Sequence, residues 1–330
     1  MSTNLTRRRI LAGASAVTVA AWSAPGIAQS KVTLIYSDIV PENDSRSNIL
    51  RRAFSALGAD LEFKSHHGGT LFKQGTEAVA IQRGNLDMAN IASGDVQNQV
   101  PQLSLLMVPY LIRDVAHLRK LWASDVGAEL NKLLDEKMGL RILSNPYIGT
   151  RHLGLRTAKK VMKPADLAGV KLRMPGTEAW LFLGKALGAN PLPLAFTEVY
   201  TALQTGAIDG QDNPLPTNRD SKFFEVTKQI VLTSHLVDQN YVAFSKKVWD
   251  GLKPDQQKIV QKAADDAAEL GRQRQLKLEG ELEAFFKEKG LKVYAPDVAA
   301  FRAKVQKDYL ESKFAKDWPA GLVDKINAVK

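Results

Sequence analysis

Short apolar stretches rich in β-branched residues alternate along the chain with longer stretches whose apolar residues recur at helical spacing. Residues 32–36 and 170–174 have the composition of buried strands. Residues 48–57, 115–137 and 178–187 have the period of amphipathic helices. Strand and helix patterns that alternate in this way are typical of sheets covered by helices, so the pattern predicts an α/β fold.

The longest helical pattern runs from residue 255 to about residue 289, with a proline just before it and a glycine just after it. Its apolar residues recur at helical spacing: Ile259, Ala263, Ala267 and Leu270. A helix of this length extends about 50 Å, which is more than the width of one small domain. We therefore predict that this helix crosses between two lobes.

The first thirty residues combine a basic cluster, an apolar stretch and a small-residue site. Arg7-Arg8-Arg9 precedes the apolar residues 11–22, and Gly26-Ile27-Ala28 follows them. This order is typical of a signal peptide, and we assign it to residues 1–28. The paired arginines followed by Ile-Leu favour the twin-arginine type, which exports proteins that are already folded.

Cysteine is absent from the 330 residues. This absence excludes disulfides, iron–sulfur clusters, thiolate zinc sites and c-type haem. It also leaves no cysteine for a lipid anchor, and no stretch after the signal approaches the about 20 apolar residues that span a membrane. We therefore expect a protein free in the periplasm.

The formal net charge is +10, and the part of the chain after residue 28 carries +7. An excess of this size favours anionic ligands or surfaces through long-range attraction, although it also fits an ordinary surface with surplus lysine. No basic run is interleaved with aromatic residues, as a nucleic-acid groove requires. We therefore expect no nucleic-acid partner.

Signatures of catalysis are missing from the sequence. It contains no dinucleotide-binding glycine motif after a strand, no phosphate-binding lysine loop and no nucleophile elbow. The five histidines are scattered, and none are paired at the helical spacing of a metal site. Glu198, Asp209 and Asp212 offer carboxylates for acid–base work, but such spacing is common in loops. We expect no catalytic residues, no cofactor and no metal ion.

The most informative region lies between residues 147 and 241, where several motifs follow one another. They are Gly149-Thr150-Arg151-His152, residues 166–175, residues 186–191, residues 195–206 and Asp209-Gly210-Gln211-Asp212-Asn213-Pro214. Val108-Pro109-Tyr110 and Gly84-Asn85-Leu86-Asp87 add two earlier motifs. In these residues and in their order, over nearly the whole chain after residue 28, the sequence resembles the DctP-type solute-binding proteins of tripartite ATP-independent periplasmic (TRAP) transporters.

The resemblance implies two α/β lobes that close around a ligand at a hinge, the Venus-flytrap arrangement. We expect lobe I to contain residues 29–148 and about 239–278, and lobe II residues 149–238 and about 279–330. It also implies that the protein captures a small carboxylate-containing solute, an organic or sugar acid, and passes it to membrane subunits. A monomer is the default expectation.

The resemblance assigns the ligand carboxylate to Arg173, and the local sequence supports this role. Arg173 ends a predicted strand directly before Met174-Pro175, and ligands of open α/β sheets lie at the carboxyl ends of strands. The planar fork of a guanidinium stays charged and pairs with both oxygens of a carboxylate.

Four further residues are candidates for the ligand-binding cleft. Arg151 matches a second arginine that contacts the ligand or supports the first in some members of the family. Asn213 matches a third polar position and can donate its amide, while Phe196 matches an apolar wall residue. Trp180 is expected to line the cleft, with packing of its own helix as the alternative.

The sequence departs from the family pattern at Ala92-Ser93-Gly94, where sialic acid-binding members carry an acidic residue. We therefore do not expect sialic acid as the ligand. Whether His66, His67 or the loop 37–43 contacts the ligand stays open.

Two other interpretations compete with this one. A solute-binding protein of an ABC importer has the same general fold, but the motifs between Arg173 and Asn213 argue against it. A periplasmic enzyme exported already folded with its cofactor is the second, although no nucleotide loop or cysteine is present to hold one. The sequence does not identify which acid is bound.

Overall fold

The computed structural model describes residues 31–330, and the predicted signal peptide lies outside them. The strands are β1 (Val32–Ser37), β2 (Leu61–His66), β3 (Met88–Ala92), β4 (Leu140–Ser144), β5 (Tyr147–Leu155), β6 (Lys171–Met174), β7 (Asn190–Pro193), β8 (Gly210–Pro214), β9 (Gln229–Ser245) and β10 (Lys292–Tyr294). The helices are α1 (Ser45–Phe54), α2 (Glu77–Gln82), α3 (Val115–Trp122), α4 (Asp125–Met138), α5 (Glu178–Ala186), α6 (Val199–Thr205), α7 (Leu215–Asp220), α8 (Lys246–Gly251), α9 (Pro254–Glu288), α10 (Val298–Leu310) and α11 (Leu322–Ala328).

The strands form one sheet in the order β2-β1-β3-β9-β5-β8-β6-β7, with β4 and β10 paired to β9 beside this path. Strands β1, β2 and β3 are mutually parallel, as are β6, β7 and β8. Strand β9 joins the two sets, because its residues 240–245 pair with β3 and β4 and its residues 229–239 pair with β5. We call β1–β4 the first half of the sheet, and β5–β8 with β10 the second half. This alternation of strands and helices confirms the predicted α/β fold.

The predicted long helix is α9, which has 35 residues and is about 52 Å long. It packs against α1 and β4 in the first half and against α7 and β10 in the second half. The prediction of a helix that crosses both halves is therefore confirmed. Within residues 31–330, no helix has the length and apolar character needed to cross a membrane.

The prediction of one continuous helix over residues 115–137 is wrong, because the chain turns between α3 and α4. Ser124 takes an extended backbone conformation there, and its hydroxyl donates to the carbonyl of Leu121 at 2.6 Å. The corner is tight: a Cβ added at Gly127 would lie 2.4 Å from the backbone oxygen of Trp122. Buried apolar residues recur at helical spacing within each helix, Leu118 and Leu121 in α3 and Leu130 and Leu134 in α4, and this recurrence does not mark the turn between them.

The largest apolar core contains residues from both halves of the sheet, including Leu130, Leu153, Leu172 and Phe301. The last residues of the chain return to the first half: the Trp318 indole donates to the hydroxyl of Ser104 at 2.8 Å. The expected boundaries of the two lobes stay a prediction.

Candidate functional site

Arg173 lies at the carboxyl end of β6, near the centre of the second half of the sheet, and its residue is 1% exposed. Its Nε donates to the carbonyl of Leu194 at 2.8 Å. Its Nη2 donates to Oε1 of Gln74 at 2.9 Å. Gln74 precedes α2 in the first half, so this hydrogen bond joins the two halves across the site.

Phe196 forms a wall next to this arginine. Its ring centre lies 5.9 Å from the Arg173 guanidinium carbon, and its backbone N–H donates to Oε1 of Gln74 at 3.1 Å. The ring packs with Val40, from the loop after β1, and with Phe223. Gln74 thus bonds to both a cationic and an apolar residue of the opposite half.

Arg151 points into a network of buried carboxylates. Its Nε and Nη2 donate to Asp212 at 2.7 and 3.0 Å, and its Nη1 donates to Asp238 at 2.7 Å. Burial opposes the charge of Asp212, but the Arg151 charge and hydrogen bonds from His235 and Arg151 hold its pKa well below the usual range. Burial likewise opposes the charge of Arg151, yet Asp212 and Asp238 raise its pKa above the ordinary value.

Arg151 and Arg173 are the two buried cations among the lysines and arginines of residues 31–330. Arg151 has two carboxylate partners, whereas Arg173 forms no ion pair with any carboxylate in this part of the chain. Burial lowers the pKa of Arg173 to about 10, against the opposing effect of Asp212. The guanidinium is therefore protonated at neutral pH, and its charge is left to attract an anion.

Asn213 and Trp180 lie beside Arg151. The Asn213 amide donates to Oε1 of Gln211 at 2.5 Å, and its oxygen accepts from Arg151 at 3.4 Å. The Trp180 ring is fully buried 4.6 Å below the Arg151 guanidinium, and its Nε1 donates to Oδ1 of Asp95 at 3.1 Å. The five candidate residues thus form two adjacent groups, Arg173 with Phe196 and Arg151 with Asn213 and Trp180. Their contact with a ligand stays a prediction.

The first half of the sheet contributes three buried carboxyl groups: Asp38, in the loop 37–43 that the sequence analysis left open, and Asp95 and Glu77, which it missed. Burial raises the pKa of Asp38 and of Asp95 to about 6. Burial and the nearby Asp95 raise the pKa of Glu77 to about 8. Asp95 directly follows the Ala92-Ser93-Gly94 stretch, so extending that comparison by one residue would have found it. Nothing in the sequence near Gln74 or Glu77 distinguishes them from ordinary polar residues.

No group of three or more histidine, aspartate or glutamate side chains within residues 31–330 has the arrangement of a metal site. The residues described above form two kinds of polar wall: a cationic wall on the second half, and a wall of amides and carboxyls on the first half. Such a pair of walls can hold a solute that has both a carboxylate and hydroxyl groups.

The family of bacterial extracellular solute-binding proteins, family 7 (DctP), matches residues 44–317 of this chain. A TRAP periplasmic solute-binding protein of Roseobacter denitrificans, solved with bound 3-deoxy-D-manno-oct-2-ulosonic acid (KDO), is 48% identical with a TM-score of 0.89. The match covers 91% of this chain and all of that one. The likeness confirms the predicted two-lobe fold.

Relatives known by sequence bind other acids. The sialic acid-binding periplasmic protein SiaP of Vibrio cholerae is 36% identical over 74% of this chain and 75% of its own. The 2,3-diketo-L-gulonate-binding periplasmic protein YiaO of Escherichia coli is 33% identical over 82% of this chain and 81% of its own.

Proposed function

Because this chain belongs to the DctP family and is the solute-binding protein of a TRAP transporter, we propose that its ligand is a sugar acid whose carboxylate pairs with Arg173. The observation that carries this proposal is the charge balance of the two buried arginines. Arg151 is neutralised by Asp212 and Asp238, whereas Arg173 has hydrogen-bond acceptors but forms no ion pair within residues 31–330, and the charges of Asp212 and Asp95 act on it without direct contact. A ligand carboxylate completes such an ion pair in the geometry that a guanidinium prefers.

A polyhydroxylated acid fits better than a simple dicarboxylate. A second ligand carboxylate would face Asp38, Glu77 and Asp95, which are buried and close to one another. Hydroxyl groups can instead bond to the amides and carboxyls of this wall. The 48% identical relative with bound KDO supports a 3-deoxy ulosonic acid as the first ligand to test. The lack of an acidic residue at positions 92–94 keeps sialic acid low on the list of candidates.

The binding cycle follows from the two-lobe fold. The acid enters the open cleft and pairs with Arg173 in lobe II, and Gln74 and Phe196 then approach each other as the lobes close. Closure excludes water and strengthens the charge pair by lowering the local dielectric. The floor of the cleft is held in place by Arg151 together with Asp212 and Asn213. Arg151 contacts the ligand through an N–H group that is not bonded to Asp212 or Asp238.

We further propose that the mature protein acts in the periplasm as a monomer, without a cofactor and without enzymatic activity. Its partners are the membrane subunits of the TRAP transporter, which recognise the closed form. Contacts with ligand from both lobes are required, because a ligand shifts the open–closed equilibrium only by its preference for the closed form.

The test is a binding screen of the mature protein after unfolding and refolding, which removes any ligand retained during purification. Isothermal titration calorimetry is carried out with KDO, D-galacturonate, L-galactonate, succinate and N-acetylneuraminic acid. We expect KDO or another sugar acid to bind and succinate to bind more weakly. If no acid binds, the assigned ligand class is wrong; if only succinate binds, the amides and carboxyls of the first half do not select a hydroxylated ligand.

A further inference from the structure

A second contact between the two halves lies beside the site, between the turn after β3 and the start of α5. The turn consists of Ser93–Asp95, which is buried. The hydroxyl of Thr177 donates to the carbonyl of Gly94 at 3.0 Å, and the Trp180 indole donates to the carboxyl of Asp95 at 3.1 Å. Two adjacent residues of one half thus accept hydrogen bonds from one helical turn of the other.

The approach is so close that position 94 tolerates no side chain. A Cβ added at Gly94 would lie 2.4 Å from Nε1 of Trp180 and 2.7 Å from its Cε2. Gly94 is not among the residues with positive φ, so its backbone conformation is open to any residue. The glycine is therefore needed for the contact with Trp180 and not for the turn itself.

This contact is connected to the ligand site through Trp180. The centre of its ring lies 4.6 Å from the Arg151 guanidinium carbon, a cation–π arrangement. Trp180 is fully buried and its indole nitrogen is bonded to Asp95, so no polar atom of it is available to a ligand. Its position fits a residue that links the lobes better than one that binds the solute.

We propose that Gly94, Asp95, Thr177 and Trp180 form a latch between the lobes that is made in the closed form and broken in the open form. The latch acts on affinity without touching the ligand, because apparent affinity is scaled by the fraction of protein that can close. These four are positioning residues for the binding reaction. This inference rests on ligand capture by lobe closure, as set out in the proposed function.

The decisive variant is Gly94→Ala. An added methyl group collides with Trp180 only where the lobes meet, so it blocks closure and leaves the open form intact. We expect the Kd for KDO to rise at least about tenfold, while the Tm of the ligand-free protein stays unchanged.

The native chain has no cysteine, so Lys64→Cys and Lys222→Cys provide two unique label sites on opposite halves. With saturating KDO, the label distance must shorten in the parent protein and stay long with Gly94→Ala.

Two further variants sharpen the test. Trp180→Phe keeps a ring beside Arg151 and removes the indole donor, and we expect a several-fold rise in Kd and a smaller shortening of the label distance with saturating KDO. Gly280→Ala, on α9, is the matched control, because a Cβ there meets nothing within 4 Å. Its Kd and label distances should equal those of the parent.

A fall of several degrees in the ligand-free Tm of Gly94→Ala would overturn the latch, because it would mean that the contact persists in the open form. So would an unchanged Kd together with normal shortening of the label distance. If the parent protein binds no acid at all, that result refutes the proposed ligand class but not the latch. The ligand-free Tm of Gly94→Ala still decides whether the contact depends on closure.

Discussion

At the scale of single residues, the two buried arginines show how identical side chains acquire different roles. A buried charge is expensive unless it is paired, and removing one partner of a buried pair leaves the other uncompensated. Arg151 is held by two carboxylates, so its charge is part of the folded structure. Arg173 forms no ion pair within the described residues: its hydrogen bonds go to neutral acceptors, and Asp212 and Asp95 act on its charge without direct contact. Removal of Arg151 and removal of Arg173 should therefore have different effects on the stability of the ligand-free protein.

Arg173→Ala should weaken binding of the sugar acid by roughly thirty- to several-thousand-fold, since truncating one partner of such a pair costs about 2–5 kcal/mol. The free energy of unfolding without ligand should stay the same or rise, because an unpaired buried charge is removed. Calorimetry and urea unfolding measure the two effects. Arg173→Lys is the matched control, which keeps the charge but loses the planar fork. Unchanged affinity of Arg173→Ala for every acid would refute the role of Arg173.

Arg151→Ala should act mainly on the stability of the ligand-free protein, whereas Arg173→Ala should act mainly on ligand affinity. Removing this arginine leaves Asp212 and Asp238 buried without their cation, so we expect a loss of about 3–5 kcal/mol in the free energy of unfolding without ligand. Urea unfolding beside Arg173→Ala provides the comparison. Equal stability of the two variants would contradict the distinction drawn between the arginines.

At the scale of elements, helices meet where glycine permits close approach. The corner between α3 and α4 requires the Gly127 backbone next to the Trp122 carbonyl, whereas Gly271 and Gly280 in α9 have open space around them. The same residue type is therefore structural in one helix and replaceable in another. Only the packing of neighbouring elements distinguishes the two cases.

Gly127→Ala should lower the free energy of unfolding by about 1–3 kcal/mol, because the added methyl group overpacks the corner. Gly271→Ala should instead raise it by up to about 1 kcal/mol, as alanine favours a helix more than glycine does. Chemical denaturation of both variants measures the difference. A neutral Gly127→Ala would show that the corner opens at little cost.

At the scale of the whole molecule, the cleft brings together walls of different charge character. The second half of the sheet supplies the two buried arginines, and the first half supplies Asp38, Glu77 and Asp95. These three carboxyls come from separate segments, and burial favours the neutral form of each, while Asp95 and Asp38 add to this effect at Glu77. The charge state of the first half therefore depends on pH, even though its residues are far apart in sequence.

The raised pKa values of these carboxyls determine how stability depends on pH. Each folded-state pKa lies above the unfolded value, so the folded form binds more protons between the two values. Their stabilising contribution is complete below about pH 4 and is lost as pH rises through about 6 for Asp38 and Asp95 and about 8 for Glu77. Glu77→Gln should therefore gain about 1–3 kcal/mol of stability relative to the parent between pH 6 and pH 9.

Urea unfolding of ligand-free protein across this range measures the effect. Glu288→Gln, at an exposed position, is the control and should follow the parent curve. A Glu77→Gln curve parallel to that of the parent would show that Glu77 is ionised in the folded protein.

Much of the fold could be predicted from the sequence, because it depends on local patterns, and the family motifs supplied the candidate residues of the site. Apolar periodicity indicated the strands at residues 32–36 and 170–174, the long helix α9 and the α/β class, and the motifs around Arg173 predicted a carboxylate-binding role that stays a prediction. The break between α3 and α4, the partners of Arg151, and the contacts of Gln74, Asp95 and Gly94 were decided only by the tertiary structure. Each depends on residues brought together from distant parts of the chain, such as Arg151 with Asp238 or Gly94 with Trp180. Burial and charge compensation depend on which residues lie next to each other in the folded protein, and the order of residues along the chain does not specify this.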